Sequence, residues 1–95
     1  MSKYEATIVV NVKLEDEERA AVVERVKEYI TRFGGTVTGV EEAGKKKLAY
    51  EIQKTREAYY YFISFDAESE TPNELEKVLR ITDNVIRYLI VEKEA

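Results

Sequence analysis

The sequence contains no cysteine, no histidine and no tryptophan. Without Cys and His, disulfides, thiol redox chemistry, zinc fingers, iron–sulfur clusters and histidine general bases are excluded. No apolar run approaches the roughly 20 residues needed to cross a bilayer. The first ten residues (MSKYEATIVV) also lack the regions of a signal peptide. These absences predict a cytoplasmic protein with no metal site, no cofactor and no membrane association.

Proline is also scarce, with one residue in 95, and no Pro/Ser-rich linker, repeat or low-complexity segment divides the chain. With 44% hydrophobic residues, the chain is long enough for one core but too short for two. Residues 1–95 are therefore predicted to form a single domain. The formal net charge of −4 gives no general attraction to nucleic acid, so RNA binding would require a local basic patch.

Hydrophobic periodicity predicts the order of the secondary-structure elements. Spacings of two or of about 3.6 residues indicate a strand, a helix, a hairpin of two strands, a second helix and a last strand, in the segments 4–12, 15–33, 36–52, 59–65, 71–82 and 85–91. Gly34 and Gly35 end the first helix, and Gly39 and Gly44 interrupt the second strand. The run 71–74 (TPNE) predicts Thr as the N-cap of the second helix, Pro as its first helical residue, and a capping-box Glu.

The order β-α-β-β-α-β predicts a ferredoxin-like α+β fold. In this fold a four-stranded antiparallel sheet of order 4-1-3-2 carries both helices on one face and leaves the other face to solvent or a partner. The helices are expected to bury Ala6, Ile8, Val10, Val26, Ile30, Phe33, Tyr61, Ile63, Leu75, Leu79 and Ile90. The same alternation places Val9, Tyr60, Phe62, Leu89 and Val91 around Arg87 on the open face.

Enzymatic function has little support in the sequence. The acidic run Glu15–Glu18 and the pair Glu41 and Glu42 could be metal ligands or acid–base groups, but acids at a helix start usually serve the helix dipole. No phosphate-binding glycine loop and no nucleophile elbow is present. The segment Gly44–Arg56 holds five basic residues against one acidic residue. It could face phosphates, or its lysines could protect an edge strand from aggregation.

Three stretches, in this order, carry a resemblance to a known family. They are Lys3–Tyr4–Glu5, GKKKLAYEI (44–52) and LRITDNVIRYLIV (79–91). With this joint spacing the chain resembles the bacterial small-subunit ribosomal protein number six family. The resemblance implies a non-enzymatic structural component of the small ribosomal subunit. It also implies that the chain binds small-subunit ribosomal RNA together with a basic partner, ribosomal protein number eighteen.

The resemblance also implies which residues make these contacts. The RNA-facing candidates are Lys3, Arg80 and Arg87. The candidates for contact with the partner protein are Lys47, Leu48, Tyr50, Ile52 and Lys54, and the open face of the sheet adds Tyr60 and Phe62. The isolated chain is expected to be monomeric.

Two alternatives stay open at this stage. The chain could be an engineered or consensus-like ferredoxin-like scaffold of this family without a retained partner. It could also be a free-standing binder of single-stranded RNA that stacks bases on Tyr60 and Phe62, as RNA-recognition motifs do. The run from Ala58 to Phe65 lacks the basic residue and the glycine of that motif, which counts against the second alternative.

Overall fold

The computed structural model describes residues 2–52 and 55–93, except for the side chains of residues 48–52, 55 and 56. Its elements are β1 (Ser2–Asn11), α1 (Asp16–Arg32), β2 (Thr36–Ile52), β3 (Thr55–Ala67), α2 (Thr71–Arg80) and β4 (Val85–Lys93). The strands form one antiparallel sheet in the order β2-β3-β1-β4. This confirms the predicted ferredoxin-like architecture. In the part of the chain that is described, no helix has the length and apolar character to span a membrane.

The core lies between the sheet and the two helices. Alternate residues of β1 and β3 pack there against the apolar stripes of α1 and α2, and the most deeply buried large side chains are Phe65, Ile8, Ile30, Ile63, Leu75, Leu79, Val10 and Val26. Nine of the eleven predicted core residues are buried, and Ile90 is only partly covered. Phe33 is half-exposed, so its prediction is wrong: it is the C-cap of α1, where the helical face that carries the stripe has ended.

The ends of α1 follow from its sequence. Glu15 is the N-cap, and it forms a capping box with Glu18 that satisfies backbone N–H groups at the start of the helix. Acidic residues fill the first turn, where the partial positive charge of the helix lies. Gly34 adopts φ +89°, a left-handed conformation that ends the helix, as predicted. The acidic run is therefore used by the helix itself.

The start of α2 differs from the prediction. Thr71 is the first helical residue and Glu70 is the N-cap, with no side-chain capping hydrogen bond. The Thr71 hydroxyl instead donates to the carbonyl of Phe33 over 2.8 Å, and Thr71 is buried. A tertiary partner for the hydroxyl has thus replaced the local one. The bond ties the start of α2 to the end of α1.

β2 has its predicted bounds, whereas β3 extends beyond the predicted segment 59–65 at both ends. β2 has 17 residues and β3 has 13, while β1 has 10 and reaches only to the pair Asn11 and Ala58. β2 accommodates three register shifts, two of them next to Gly39 and Gly44 and the third between Lys47 and Ile52, and Gly44 adopts φ +85°. Such bulges bend an edge strand. The hairpin end consists of residues 47–52 of β2 and 55–57 of β3. Among the described strands, these two segments pair only with each other.

Candidate functional site

The open face of the sheet can be read directly from the strand register. Antiparallel partners share a face, so each open-face residue of β1 stands in a row with one residue from each neighbouring strand. We name the rows by their β1 residue. From the hairpin end, the Asn11 row holds Lys46 and Ala58; the Val9 row holds Gly44, Tyr60 and Arg87; the Thr7 row holds Glu41, Phe62 and Leu89; the Glu5 row holds Gly39, Ser64 and Val91; the Lys3 row holds Thr36, Asp66 and Lys93.

Apolar side chains occupy the middle of this face and remain accessible. Leu89 is 58% exposed and Val91 is 40% exposed, while Tyr60 and Phe62 are half-buried. Val9 is only 3% exposed, although it does not belong to the core under the helices. A central residue of a strand is covered by its neighbours in the row even on an open face. The predicted apolar patch is therefore present, with Val9 as its buried centre.

The three residues predicted to face RNA do not come together. Lys3 and Val9 are six residues apart on β1, which corresponds to about 20 Å along a strand, and Arg87 stands beside Val9. Lys3 shares its row with Asp66 and Lys93. In the adjoining row, the Lys93 Nζ lies 2.9 Å from a carboxylate oxygen of Glu5. Charges of both signs thus meet at the Lys3 end of the face.

Arg80 lies on α2, apart from the open face. Its side chain is 67% exposed, and one guanidinium nitrogen lies 3.6 Å from a carboxylate oxygen of Glu76. A hydrogen bond with the Tyr88 side chain raises the pKa of Arg80, and the negative charge of Glu76 adds to the effect. The guanidinium therefore stays charged, and it is oriented by one residue of its own helix and one residue of β4.

The turn after α2 brings Arg80 to a polar crevice of about 350 Å³ that also involves Asn11 and residues 81–86. Asn84 adopts φ 74°, the left-handed conformation that the predicted Asp-Asn turn requires. Ile81 protrudes beside the crevice with 79% of its surface exposed. Sequence reasoning missed Ile81, because its apolar character suggests burial and only the position of the helix end shows otherwise.

The basic segment of β2 is divided between the two faces of the sheet. Lys46 belongs to the open face, whereas Lys45 and Lys47 point to the helix side. The Lys45 Nζ lies 3.7 Å from a carboxylate oxygen of Glu57, and both side chains are about half exposed. Of the residues predicted to meet a partner protein, Lys47 is exposed. Lys54 lies outside the described residues, as do the side chains of Leu48, Tyr50 and Ile52.

Arg19 forms the most extensive polar cluster under the sheet, and sequence reasoning did not single it out. Its guanidinium lies 3.7 Å from the ring centre of Tyr59, and it donates to the Tyr61 hydroxyl over 3.2 Å. Further bonds reach the Leu14 carbonyl and Asp16. Burial acts to lower the pKa of Arg19, but the bonds to Tyr61 and Asp16 outweigh it and raise the pKa. These contacts hold the start of α1 against β3.

The described residues contain no group of three acidic, histidine or cysteine side chains arranged to hold a metal ion. The candidate contact residues of the described chain lie on three surface features. They are the open sheet face with its apolar residues and Arg87 on the edge strand β4, the protruding turn beside Arg80, and the two-stranded hairpin end that extends beyond β1.

Comparison with known proteins identifies the family. The model of the family described as Ribosomal protein S6 matches residues 3–92. The small ribosomal subunit protein bS6 of Clostridium botulinum (strain 657) is 47% identical over 94 residues, which cover 99% of this chain and all of that protein. The bS6 protein of Clostridium novyi (strain NT) is 45% identical, with 99% of each chain covered.

The fold agrees equally well with a solved structure. The crystal structure of 30S ribosomal protein S6 from Thermotoga maritima superimposes with a TM-score of 0.91 at 34% sequence identity. The match covers 97% of this chain and 87% of that one. Sequence and fold therefore agree over nearly the whole length. The chain belongs to the ribosomal protein S6 family, whose members are proteins of the small ribosomal subunit.

Proposed function

We propose that this chain is a non-catalytic structural component of the cytoplasmic small ribosomal subunit. It binds small-subunit ribosomal RNA jointly with a basic partner, ribosomal protein number eighteen. Membership of the family supports the ribosomal setting. The observation that supports a contact role most directly is the apolar open face, because small soluble proteins rarely leave such a patch uncovered without using it.

Joint binding agrees with the charge distribution. The chain as a whole carries a net charge of −4, which opposes association with a polyanion. Its exposed cations stand at separate places: Lys3 at one end of the open face, Arg87 near the other, and Arg80 beside the turn after α2. A basic partner that covers acidic surface would lower the overall repulsion and let these dispersed cations reach phosphates.

The partner surface is proposed to include the hairpin end, with Lys47, Leu48, Tyr50, Ile52 and Lys54. An isolated two-stranded ribbon is marginally stable in water and gains stability when another surface covers it. The hairpin end extends past β1 as such a ribbon. Phe62, half-buried in the middle of the open face, extends the proposed partner surface onto the sheet.

Gel-shift titration of a central-domain fragment of small-subunit ribosomal RNA tests the proposal. Three titrations are compared: the wild-type chain alone, ribosomal protein number eighteen alone, and the two proteins together. We expect the pair to bind the RNA at least tenfold more tightly than either protein. A chain that binds neither the partner nor the RNA would overturn the proposal and favour the scaffold interpretation.

The arginines are tested by the salt dependence of the same titration. Arg80→Gln and Arg87→Gln remove a charge while keeping most of the side chain, and each lost phosphate contact should lower the slope of log K against log salt by about one unit. Lys77→Gln is the matched control, because Lys77 is an exposed cation of α2 whose Nζ lies 3.5 Å from Glu74. Equal slopes in wild type and both arginine variants would show that these are ordinary surface residues.

A further inference from the structure

Tyr60 and Arg87 stand on either side of the same residue. Both pair with Val9, Tyr60 from β3 and Arg87 from β4, so their side chains leave the sheet on the same face. Val9, with 3% of its surface exposed, forms the floor between them. The walls enclose a cleft of about 180 Å³ lined by Thr7, Val9, Tyr60, Arg87, Tyr88 and Leu89.

The dimensions of the cleft suit one flat ring. Strands two positions apart in a sheet are separated by about 10 Å. A planar group in contact with the Tyr60 ring on one side and the Arg87 side chain on the other needs roughly 7–8 Å for the two contacts. The cavity is smaller than the ~300–1,000 Å³ of pockets for drug-sized molecules. It can therefore hold a single ring system but not a larger ligand.

Charge and access at this end of the face favour nucleic acid. The Val9 and Asn11 rows contain the cations Arg87 and Lys46 and no carboxylate, whereas acids appear in all three remaining rows. Next to Tyr60 stands Gly44, where an added Cβ would meet nothing within 4 Å. The Tyr60 ring can thus be approached from the β2 edge, past Lys46. A phosphate chain that enters there passes Lys46 before it reaches the ring.

We propose that Tyr60 and Arg87 hold one unpaired nucleobase of the bound RNA, with the base stacked on Tyr60 and the adjacent phosphates near Arg87 and Lys46. Thr7 supplies a hydroxyl at the base of the cleft that can bond a base edge. The proposal rests on the proposed RNA binding and adds that the recognised segment is single-stranded. It moves Tyr60 from the partner-protein surface to the RNA surface, because the register joins it to Arg87.

A partner protein is the competing occupant, and the observations favour it less. On the open face, an apolar protein surface would bury most apolar area at Leu89 and Val91, which are the exposed large apolar side chains there. The cleft lies on the other side of the Thr7 row from Val91, where the two described open-face rows hold Arg87 and Lys46 and no carboxylate. Arg stems and aromatic rings stack on bases of any sequence, which suits a contact with unpaired RNA.

The first test compares Tyr60→Leu, Tyr60→Phe and Tyr29→Leu in the RNA titration, with ribosomal protein number eighteen held at saturation. Tyr60→Leu keeps apolar bulk but removes the stacking ring and should weaken RNA binding about tenfold. Tyr60→Phe keeps the ring and should bind within twofold of wild type. Tyr29→Leu makes the same change on α1, at a residue that packs partly against the core, and should also bind within twofold of wild type.

The second test asks whether Tyr60 and Arg87 act on one base. If both contact the same ring, the losses caused by Tyr60→Leu and Arg87→Gln will not multiply, because either change alone already releases the base. We expect the double variant to bind RNA no more than about threefold more weakly than the worse single variant. Tyr60→Leu combined with Arg80→Gln serves as the reference pair, for which the losses should multiply.

The outcomes separate this proposal from the proposed function. A wild-type complex that does not bind the RNA overturns both. Wild-type binding that Tyr60→Leu leaves unchanged overturns the base cleft alone. Affinity for the partner protein, measured calorimetrically without RNA, should be the same for wild type and Tyr60→Leu. A loss of affinity for the partner protein would overturn the proposal by assigning Tyr60 to a protein contact. Losses of RNA affinity that multiply in the Tyr60 and Arg87 double variant would overturn it by assigning the two residues to separate contacts.

Discussion

The two faces of the sheet are built from the same strands, yet they differ in what covers them and in how many polar residues they carry. On the helix side, alternate residues from Tyr4 to Val10 of β1 and from Tyr61 to Ala67 of β3 lie under α1 and α2 with at most 8% of their surface exposed. On the open side, Leu89 and Val91 are also apolar, but 58% and 40% of their surfaces are exposed. The helices cover the one face, whereas on the other face these two apolar residues lie uncovered among polar and charged neighbours.

This contrast shows which apolar residues maintain the fold and which remain available for contacts. A large side chain removed from the helix side leaves a cavity, whereas the same change on the open side exposes a surface that already meets water. The exposed residues Leu89 and Val91 therefore contribute little to stability and need another explanation. Measurements of unfolding free energy on matched variants can break or sharpen the comparison.

The largest effect is expected for Leu75→Ala. Leu75 is fully buried, so the change should lower the free energy of unfolding by about 2–5 kcal/mol, and Ile8→Ala should behave alike. Leu89→Ala, the same substitution on the open face, should cost only about 0.5 kcal/mol. Denaturant titration of the three variants gives the values. Equal losses for Leu75→Ala and Leu89→Ala would contradict the contrast between the faces.

The next effect concerns the close approach of α1 to the sheet. A Cβ on Gly35 would lie 2.8 Å from Cγ2 of Ile30 and 3.1 Å from its carbonyl oxygen. Gly35→Ala should therefore destabilise the protein by about 1–3 kcal/mol through overpacking. At Gly39, on the open side, a Cβ would meet nothing within 4 Å. The melting temperature of Gly39→Ala should equal or slightly exceed that of wild type. A similar decrease in both glycine variants would refute the explanation by overpacking.

A smaller effect is expected from the polar bond between the two helices. Thr71→Val keeps the shape of the side chain but removes the hydroxyl that donates to the Phe33 carbonyl, and it should cost about 1 kcal/mol. Thr71→Ser keeps the donor and should lose less. Urea titration of both variants decides the matter. If Thr71→Val is as stable as wild type, the hydroxyl does not tie α2 to α1.

Local sequence patterns predicted the elements, the sheet order and most of the core, because alternation and helical spacing follow directly from backbone geometry. They failed where a residue depends on a distant partner. The Thr71 hydroxyl bonds the end of α1 and not its own helix. Phe33 matches the helical spacing but falls on the C-cap.

The candidate site was less predictable for the same reason. The sequence identifies Lys3, Arg80 and Arg87 as basic residues. The distances between them, however, depend on how β1 pairs with β4 and on where α2 packs relative to β4. Likewise, Tyr60 and Arg87 are 27 positions apart in the sequence and become neighbours only because both pair with Val9. No periodicity within one element contains that information.

The smallest effect tests the open face itself, through the isosteric change of Val to Thr at two strand positions. Val91→Thr places a hydroxyl on a side chain that is 40% exposed, where water can bond it, and should change stability by no more than about 0.5 kcal/mol. Val10→Thr places the same hydroxyl in the fully buried core and should cost about 1–3 kcal/mol. Thr is well suited to strands, so β-propensity does not confound the comparison. Chemical denaturation of both variants gives their free energies of unfolding. A larger loss for Val91→Thr than for Val10→Thr would contradict the interpretation. If stability is unchanged but the partner-loaded complex binds RNA more weakly, the apolar end of the open face is a contact surface of the assembled particle.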